Sequence, residues 1–131
     1  MKSAIYSALI LAFIFCNHSH AQQMNAPDSP CKNAVITVAA SNCFAMEWKK
    51  QDMILNAFYA SVLKHLDKED GDKLRIAQRI WLQFRDANCS AEYSLYDGGT
   101  GGPPAKLACM EAVTRRRVLE LHSMYDWILE K

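Results

Sequence analysis

The chain has 131 residues, half of them hydrophobic, with 15 Lys and Arg against 14 Asp and Glu. So even a balance excludes the basic footprint that nucleic-acid binding needs, and it gives no sign of a strongly acidic decoy. The length suits one domain with a modest core.

Residues 1–21 read as a secretory signal peptide. Lys2 supplies the charged start, and residues 4–15 (AIYSALILAFIF) form an apolar run too short to span a bilayer as a helix. Ser19-His20-Ala21 places small residues before a cleavage site that follows Ala21. A lipid-acceptor cysteine follows a small residue, and Phe15 is not small, so lipidation at Cys16 is disfavoured. Cleavage leaves a near-neutral chain with no stable membrane insertion, in the periplasm or the medium. Residues 22–30 (QQMNAPDSP) are polar with two prolines and read as a flexible lead-in, and residues 31–131 as a single domain.

Cys16 leaves with the signal, so Cys31, Cys43, Cys89 and Cys109 remain. An even number in a small exported domain reads as two disulfides, with three connectivities open. Closure of short loops favours Cys31–Cys43 with Cys89–Cys109. Cys43–Cys89 is also within reach across a helical hairpin. A continuous helix from Cys31 to Cys43 would exclude the first bond by spanning ~18 Å. No C-x-x-C occurs and only His65 and His122 lie beyond the signal, so neither a metal site nor a cofactor is expected.

Residues 31–43 mix β-branched Val35, Ile36, Thr37 and Val38 with Ala39 and Ala40, and read as a short helix or irregular segment. Residues 44–67 are the first strong helix. Trp48, Leu55 and Val62 recur at spacing seven, as do Asp52, Tyr59 and Leu66, in one stripe that Asp52 and Asn56 interrupt. Residues 68–72 (KEDGD) read as a turn, with Gly71 free to take positive φ and Asp72 as N-cap of a second helix over 73–93. That helix holds residues 77–89 (AQRIWLQFRDANC), where Gln78 and Arg85 share the inward side with Trp81. A buried Arg is costly without a partner, so Arg85 or Arg117 calls for Asp52 or Asp86.

Residues 94–105 (SLYDGGTGGPPA) break any helix and make a long connection, which is a candidate binding loop. Phosphate binding is not expected there: no Lys-Ser or Lys-Thr follows, no strand precedes, and two prolines remove donors. Residues 106–129 are a third helix with Cys109, Val113, Arg117, Leu121, Met124 and Ile128 inward. Antiparallel packing gathers Cys43, Cys89 and Cys109 at one pole.

Several of these residues form a pattern: Asp52-x-x-Leu55-Asn56-x-x-Tyr59, Leu74-x-x-Ala77-Gln78-Arg79-x-Trp81-x-x-Phe84-Arg85-Asp86-x-x-Cys89, Gly98-Gly99, and Cys109 with Thr114-x-x-Arg117-x-x-x-Leu121. From about Cys31 to Leu121 the chain resembles the LprI-type lysozyme-inhibitor family of small exported bacterial proteins. The resemblance implies an all-α, disulfide-stabilised fold and, as partner, lysozyme or another peptidoglycan hydrolase. Phe84 stands where that family usually has Tyr, so any hydrogen bond from the hydroxyl is absent.

The fold expected is therefore a small antiparallel three-helix bundle with a Gly/Pro-rich loop between helices two and three. Asp52, Asn56, Gln78, Arg85, Asp86, Thr114 and Arg117 read as an internal polar network that fixes helix register. Trp48 and Trp81 read as core, Arg115 and Arg116 as solvated, and Arg117 as inward. Catalysis is not expected. No pair of carboxylates has glycosidase spacing, no nucleophile has a His base nearby, and disulfides consume the thiols. The recognition candidates are Tyr93, Tyr96, Asp97, Gly98 and Gly99. Two functions stay open: an exported binder or inhibitor of a lysozyme-type wall hydrolase through that loop, and a non-inhibitory structural or stress-related periplasmic module. The oligomeric state stays open as well.

Overall fold

A computed structural model describes residues 23–130. After a 3-10 turn at Gln23–Asn25, the chain forms α1 (Thr37–His65), α2 (Lys68–Ser94) and α3 (Gly102–Leu129), with no strand among the described residues. The signal-peptide reading of residues 1–21, Cys16 included, lies outside them. α1 and α3 run in the same direction and α2 runs against both. Phe44 and Ala40, near the start of α1, pack on Ala108 near the start of α3; Leu55 and Val62 pack on Val118 and Leu121 further along. The bundle is all-helical and carries two disulfides.

α3 is the spine of the bundle. Both other helices pack on it more extensively than on each other. Its sequence explains this: Ala105, Ala108 and Ala112 are buried and small, so neighbouring backbones approach closely, while Val113, Val118 and Leu121 fill the space between. Phe44, Leu55, Val62 and Leu121 are essentially inaccessible. Burial of each such side chain contributes about 1.5–3 kcal/mol. The inner stripe of α3 continues through Tyr125 to Leu129. Met124, expected inward, is instead 45% exposed, because steps of three and four residues carry the stripe past it.

Three helix ends differ from the reading of the sequence. α1 starts at Thr37, seven residues before Phe44, with Ile36 extended as its N-cap. The helix-favouring Ala39 and Ala40 outweigh the β-branched run, whose Val35, Ile36 and Val38 side chains stay exposed. α2 starts at Lys68, so KEDGD is its first turn. The cap is Asp67, whose carboxylate accepts from the Asp70 N–H at 2.9 Å. Gly71 has no positive φ; it is buried, and a Cβ there would meet Leu63 at 3.7 Å and Arg75 Nη1 at 3.3 Å. α3 starts at Gly102, with Pro103 and Pro104 in its first turn. Proline lacks the N–H that would have no helical acceptor there, so it begins a helix without cost.

The turn at residues 30–33 brings Cys31 back onto α1, where it bonds Cys43 with a Cα separation of 5.9 Å. Cys89 in α2 bonds Cys109 in α3 with a Cα separation of 5.5 Å. Ahead of Cys31, Met24 packs against the Phe44–Ala108 cluster, Ser29 is buried, and Asp28 pairs with Arg115.

Candidate functional site

The middle of the bundle holds a stack of cations and aromatic rings. Trp48 projects from α1, Trp81 and Arg85 from α2 one turn apart, and Arg117 from α3. The Arg85 guanidinium lies 5.7 Å from the Trp48 ring and 5.3 Å from the Trp81 ring, and Arg117 lies 5.7 Å from the Trp81 ring. Each contact of this kind contributes about 0.5–2 kcal/mol, more as water is excluded.

The polar residues around the stack divide into two groups. Arg85 donates from Nε to Asp86 Oδ1 at 2.9 Å and lies 2.8 Å from the same oxygen through Nη2. Its Nη1 stands 3.5 Å from Asp52 Oδ1. Asn56 donates to the other Asp52 oxygen at 3.1 Å, which steadies that carboxylate. Arg117 takes neither Asp52 nor Asp86. Its Nε donates to Gln78 Oε1 at 3.2 Å and its Nη1 to Glu120 Oε2 at 3.2 Å. Its acceptors come from its own helix and from α2. Thr114 is fully buried, but its hydroxyl has no hydrogen-bond partner in the protein, so it belongs to the packing and not to the network.

A second ion-pair group was not visible as such in the sequence. Glu111 is 2% exposed and accepts from Arg115 Nε at 2.9 Å, while Arg115 Nη1 reaches Asp28 Oδ2 at 3.0 Å. Arg115 is thus engaged and partly buried, not solvated; Arg116 remains exposed. The Arg115 hydrogen bond holds the Asp28 carboxyl below the usual carboxylate range. The four-residue spacing of Glu111 and Arg115 is the signal that marks the pair.

At the disulfide pole, residues 95–101 form a tight turn and not a long loop. Successive backbone bonds close it: Tyr96 N–H to Tyr93 C=O at 3.1 Å, Gly99 N–H to Tyr96 C=O at 2.7 Å, and Gly102 N–H to Gly99 C=O at 3.0 Å. Asp97 and Gly98 take positive φ, 45° and 76°, which is the conformation that places a glycine here. The two tyrosines lie back against the start of α3. A Cβ on Gly102 would fall 2.9 Å from the Tyr93 ring, and one on Gly101 would fall 3.1 Å from the Tyr96 ring. Lys106 Nζ sits 5.5 Å from the Tyr93 ring centre. The Tyr96 hydroxyl is buried without a partner in the protein, and burial, then the charge of Glu92, pushes the phenol up. Leu95, Asp97, Gly98 and Gly99 are exposed, and Tyr93 is exposed along one edge. Tyr93, Leu95 and Asp97 are thus each open to solvent, while the Tyr96 ring packs back against Gly101.

Phe84 is also exposed and walls a groove between α2 and α3 with Trp81, Asn88 and Arg116. No helix among the described residues is long and apolar enough to cross a membrane.

Residues 30–121 match the family described as Lysozyme inhibitor LprI. The chain is 29% identical to an uncharacterized protein of Rhizobium meliloti (strain 1021), over 91% of this chain and 93% of the relative. No solved structure matches the chain.

Proposed function

The chain belongs to the LprI lysozyme inhibitor family, and from that premise we propose that it is an exported protein that binds and inhibits a lysozyme-type cell-wall hydrolase. The family match across residues 30–121 is the observation that carries this reading. Two disulfides suit an oxidising compartment, in keeping with export after Ala21. The protein acts by binding, without chemistry of its own.

The contact surface in this reading is the turn at the disulfide pole. Tyr93 and Leu95 offer apolar area, and Tyr offers it at low ordering cost. Asp97 at the tip meets the basic rim or the catalytic acid of the partner's cleft, and Gly98 and Gly99 let the backbone come close. Cys89–Cys109 holds the two helices that flank the turn, which reduces the entropy lost on binding.

Titration of lysozyme with the purified mature protein tests the reading. Muramidase activity is expected to fall and level off once the inhibitor is in excess. Unchanged activity would leave the alternative, a non-inhibitory structural or stress-related module. The inward use of Arg85, Gln78 and Arg117 within the bundle favours that alternative.

A further inference from the structure

Beside the turn, a groove of about 440 Å³ lies between the three helices, lined by Trp48, Arg85, Asp86, Ser90, Lys106 and Met110. Its volume falls in the range of small-ligand sites. Trp48 Nε1 and Arg85 Nη1 are both buried and have no hydrogen-bond partner in the protein. Arg85 is only 7% exposed. Asp86 already serves the Nε and Nη2 side of the guanidinium, and Asp52 is too distant from Nη1 for a hydrogen bond of good geometry. Buried donors without acceptors are costly, so a groove whose lining residues carry two of them, just beneath its surface, calls for an acceptor group.

Lys106 lines the same groove and, although its ammonium rests 5.5 Å from the Tyr93 ring, its flexible stem can bring a second positive charge to it. Three donor-bearing side chains along one groove, two of them cationic, match a carboxylate. The rest of the lining offers different chemistry. Asp86 engages Arg85 through Oδ1 alone, which leaves Oδ2 to accept from a hydroxyl, and Ser90 can donate or accept. Trp48 and Met110 supply apolar contact. An acidic protein side chain would meet the same donors, but it would also meet the charge of Asp86 with no hydroxyl to offset it.

The geometry points to a binding site for a sugar acid, a pyranose that bears a carboxylate. The carboxylate takes Trp48 Nε1, Arg85 Nη1 and Lys106 Nζ, and the ring hydroxyls take Asp86 and Ser90. Both inner donors are covered in the free protein. Binding in this assignment therefore requires the unbranched Met110 and Lys106 side chains, which line the same groove, to move aside. The assignment stands independently of lysozyme inhibition.

Two probes that differ by a lactyl carboxylate test it: N-acetylmuramic acid and N-acetylglucosamine. Mature protein is titrated with each at constant ionic strength, and the indole N–H signals are followed by NMR. The expected result is a saturable shift of the Trp48 indole signal with the sugar acid, and at least about tenfold weaker binding of the neutral sugar. Trp48→Phe keeps an aromatic ring and removes the donor; Lys106→Gln removes the charge from a partly exposed side chain. Each should weaken binding of the sugar acid by about tenfold with helicity and cooperative unfolding kept, the Lys106 signal being read at Trp48 and the Trp48→Phe affinity by calorimetry. Equal binding of the two sugars overturns the assignment. So do the absence of a saturable shift at millimolar sugar acid and unchanged affinity in both variants. Binding of a Glu-containing peptide with no response to the sugar acid also overturns it, in favour of an acidic protein partner. Sugar binding without lysozyme inhibition sinks only the inhibitor reading.

Discussion

Arg85 is a buried cation whose partners stay in water. Its side chain is 9% exposed, while those of Asp52 and Asp86 are 41% and 60% exposed. Truncation of a fully buried pair strands a charge and costs about 3–5 kcal/mol; here the two carboxylates rehydrate where they stand. The loss falls on contacts with two indole rings and on packing of the aliphatic stem. Arg85→Ala is therefore expected to lower stability by about 2–3 kcal/mol, read from urea denaturation. Arg85→Lys should recover only part of that, since an ammonium is more strongly hydrated than a guanidinium and has no planar face to set beside the rings. A melt unchanged in Arg85→Ala would place the guanidinium outside the stack. Tyr96 makes the complementary case. Its hydroxyl is buried without a partner in the protein, and burial raises the pKa of the phenol above its ordinary value. The folded pKa is the higher one, so this contribution is fully present below about pH 10 and is lost as pH rises through the folded value. Tyr96→Phe should be at least as stable as wild type at neutral pH, since it removes an unpartnered buried hydroxyl, and should lose less stability above about pH 10. Coincident alkaline curves for the two proteins would mean that the phenol is not shielded.

The helices themselves were legible because a core imposes them. Trp48, Leu55 and Val62 recur at spacing seven, and no other structure puts all three on one side. Their ends were not, because an end is decided by one or two backbone groups. KEDGD offers several carboxylates, and Asp67 before it wins the cap: that choice places Glu69 and Asp70 in the first turn, at the positive end of the helix dipole. It also lets Lys68 reach Asp72 and Lys73 reach Glu69, both at 2.8 Å. Asp67→Ala should cost about 1 kcal/mol, whereas Glu69→Ala, which removes an exposed pair, should cost less than about 0.5 kcal/mol; equal melts of the two variants would deny the cap. The prolines at 103 and 104 were legible as breakers of a preceding helix but not as the start of the next. For the candidate site, the partners of Arg85 could be read because Asp52 lies on the inward stripe and Asp86 is adjacent. The Gln78–Arg117 contact could not, since it depends on how α2 seats against α3. Cys89–Cys109 fixes that seating. Removal of both cysteines should lower stability by about 3 kcal/mol through the freed 20-residue separation, measured as a shift in urea midpoint between the double Ser variant and the oxidised protein.

At the scale of the molecule, the up-down-up order puts both disulfides and the turn at residues 95–101 at one pole, away from the tight connection between α1 and α2. A frame stapled there can present a turn without depending on it. α3 begins at Gly102, and the Tyr93 ring leaves no room for a side chain on that glycine. The replaceable segment is therefore residues 95–101, with Gly102, Pro103 and Pro104 kept. Exchange of these residues for a neutral linker of equal length removes Leu95, Tyr96, Asp97 and the positive-φ pair in one step. Far-UV circular dichroism should stay unchanged, because the buried residues of the core lie outside the segment. Inhibition of lysozyme should be abolished, because the aromatic edge of Tyr93 that remains offers too little area to hold a partner alone. Inhibition equal to that of the unmodified protein would make the turn a mere connector and move recognition to another face, the exposed Phe84 on α2 being the first to mutate. If neither protein inhibits, the inhibitor reading itself fails for this chain.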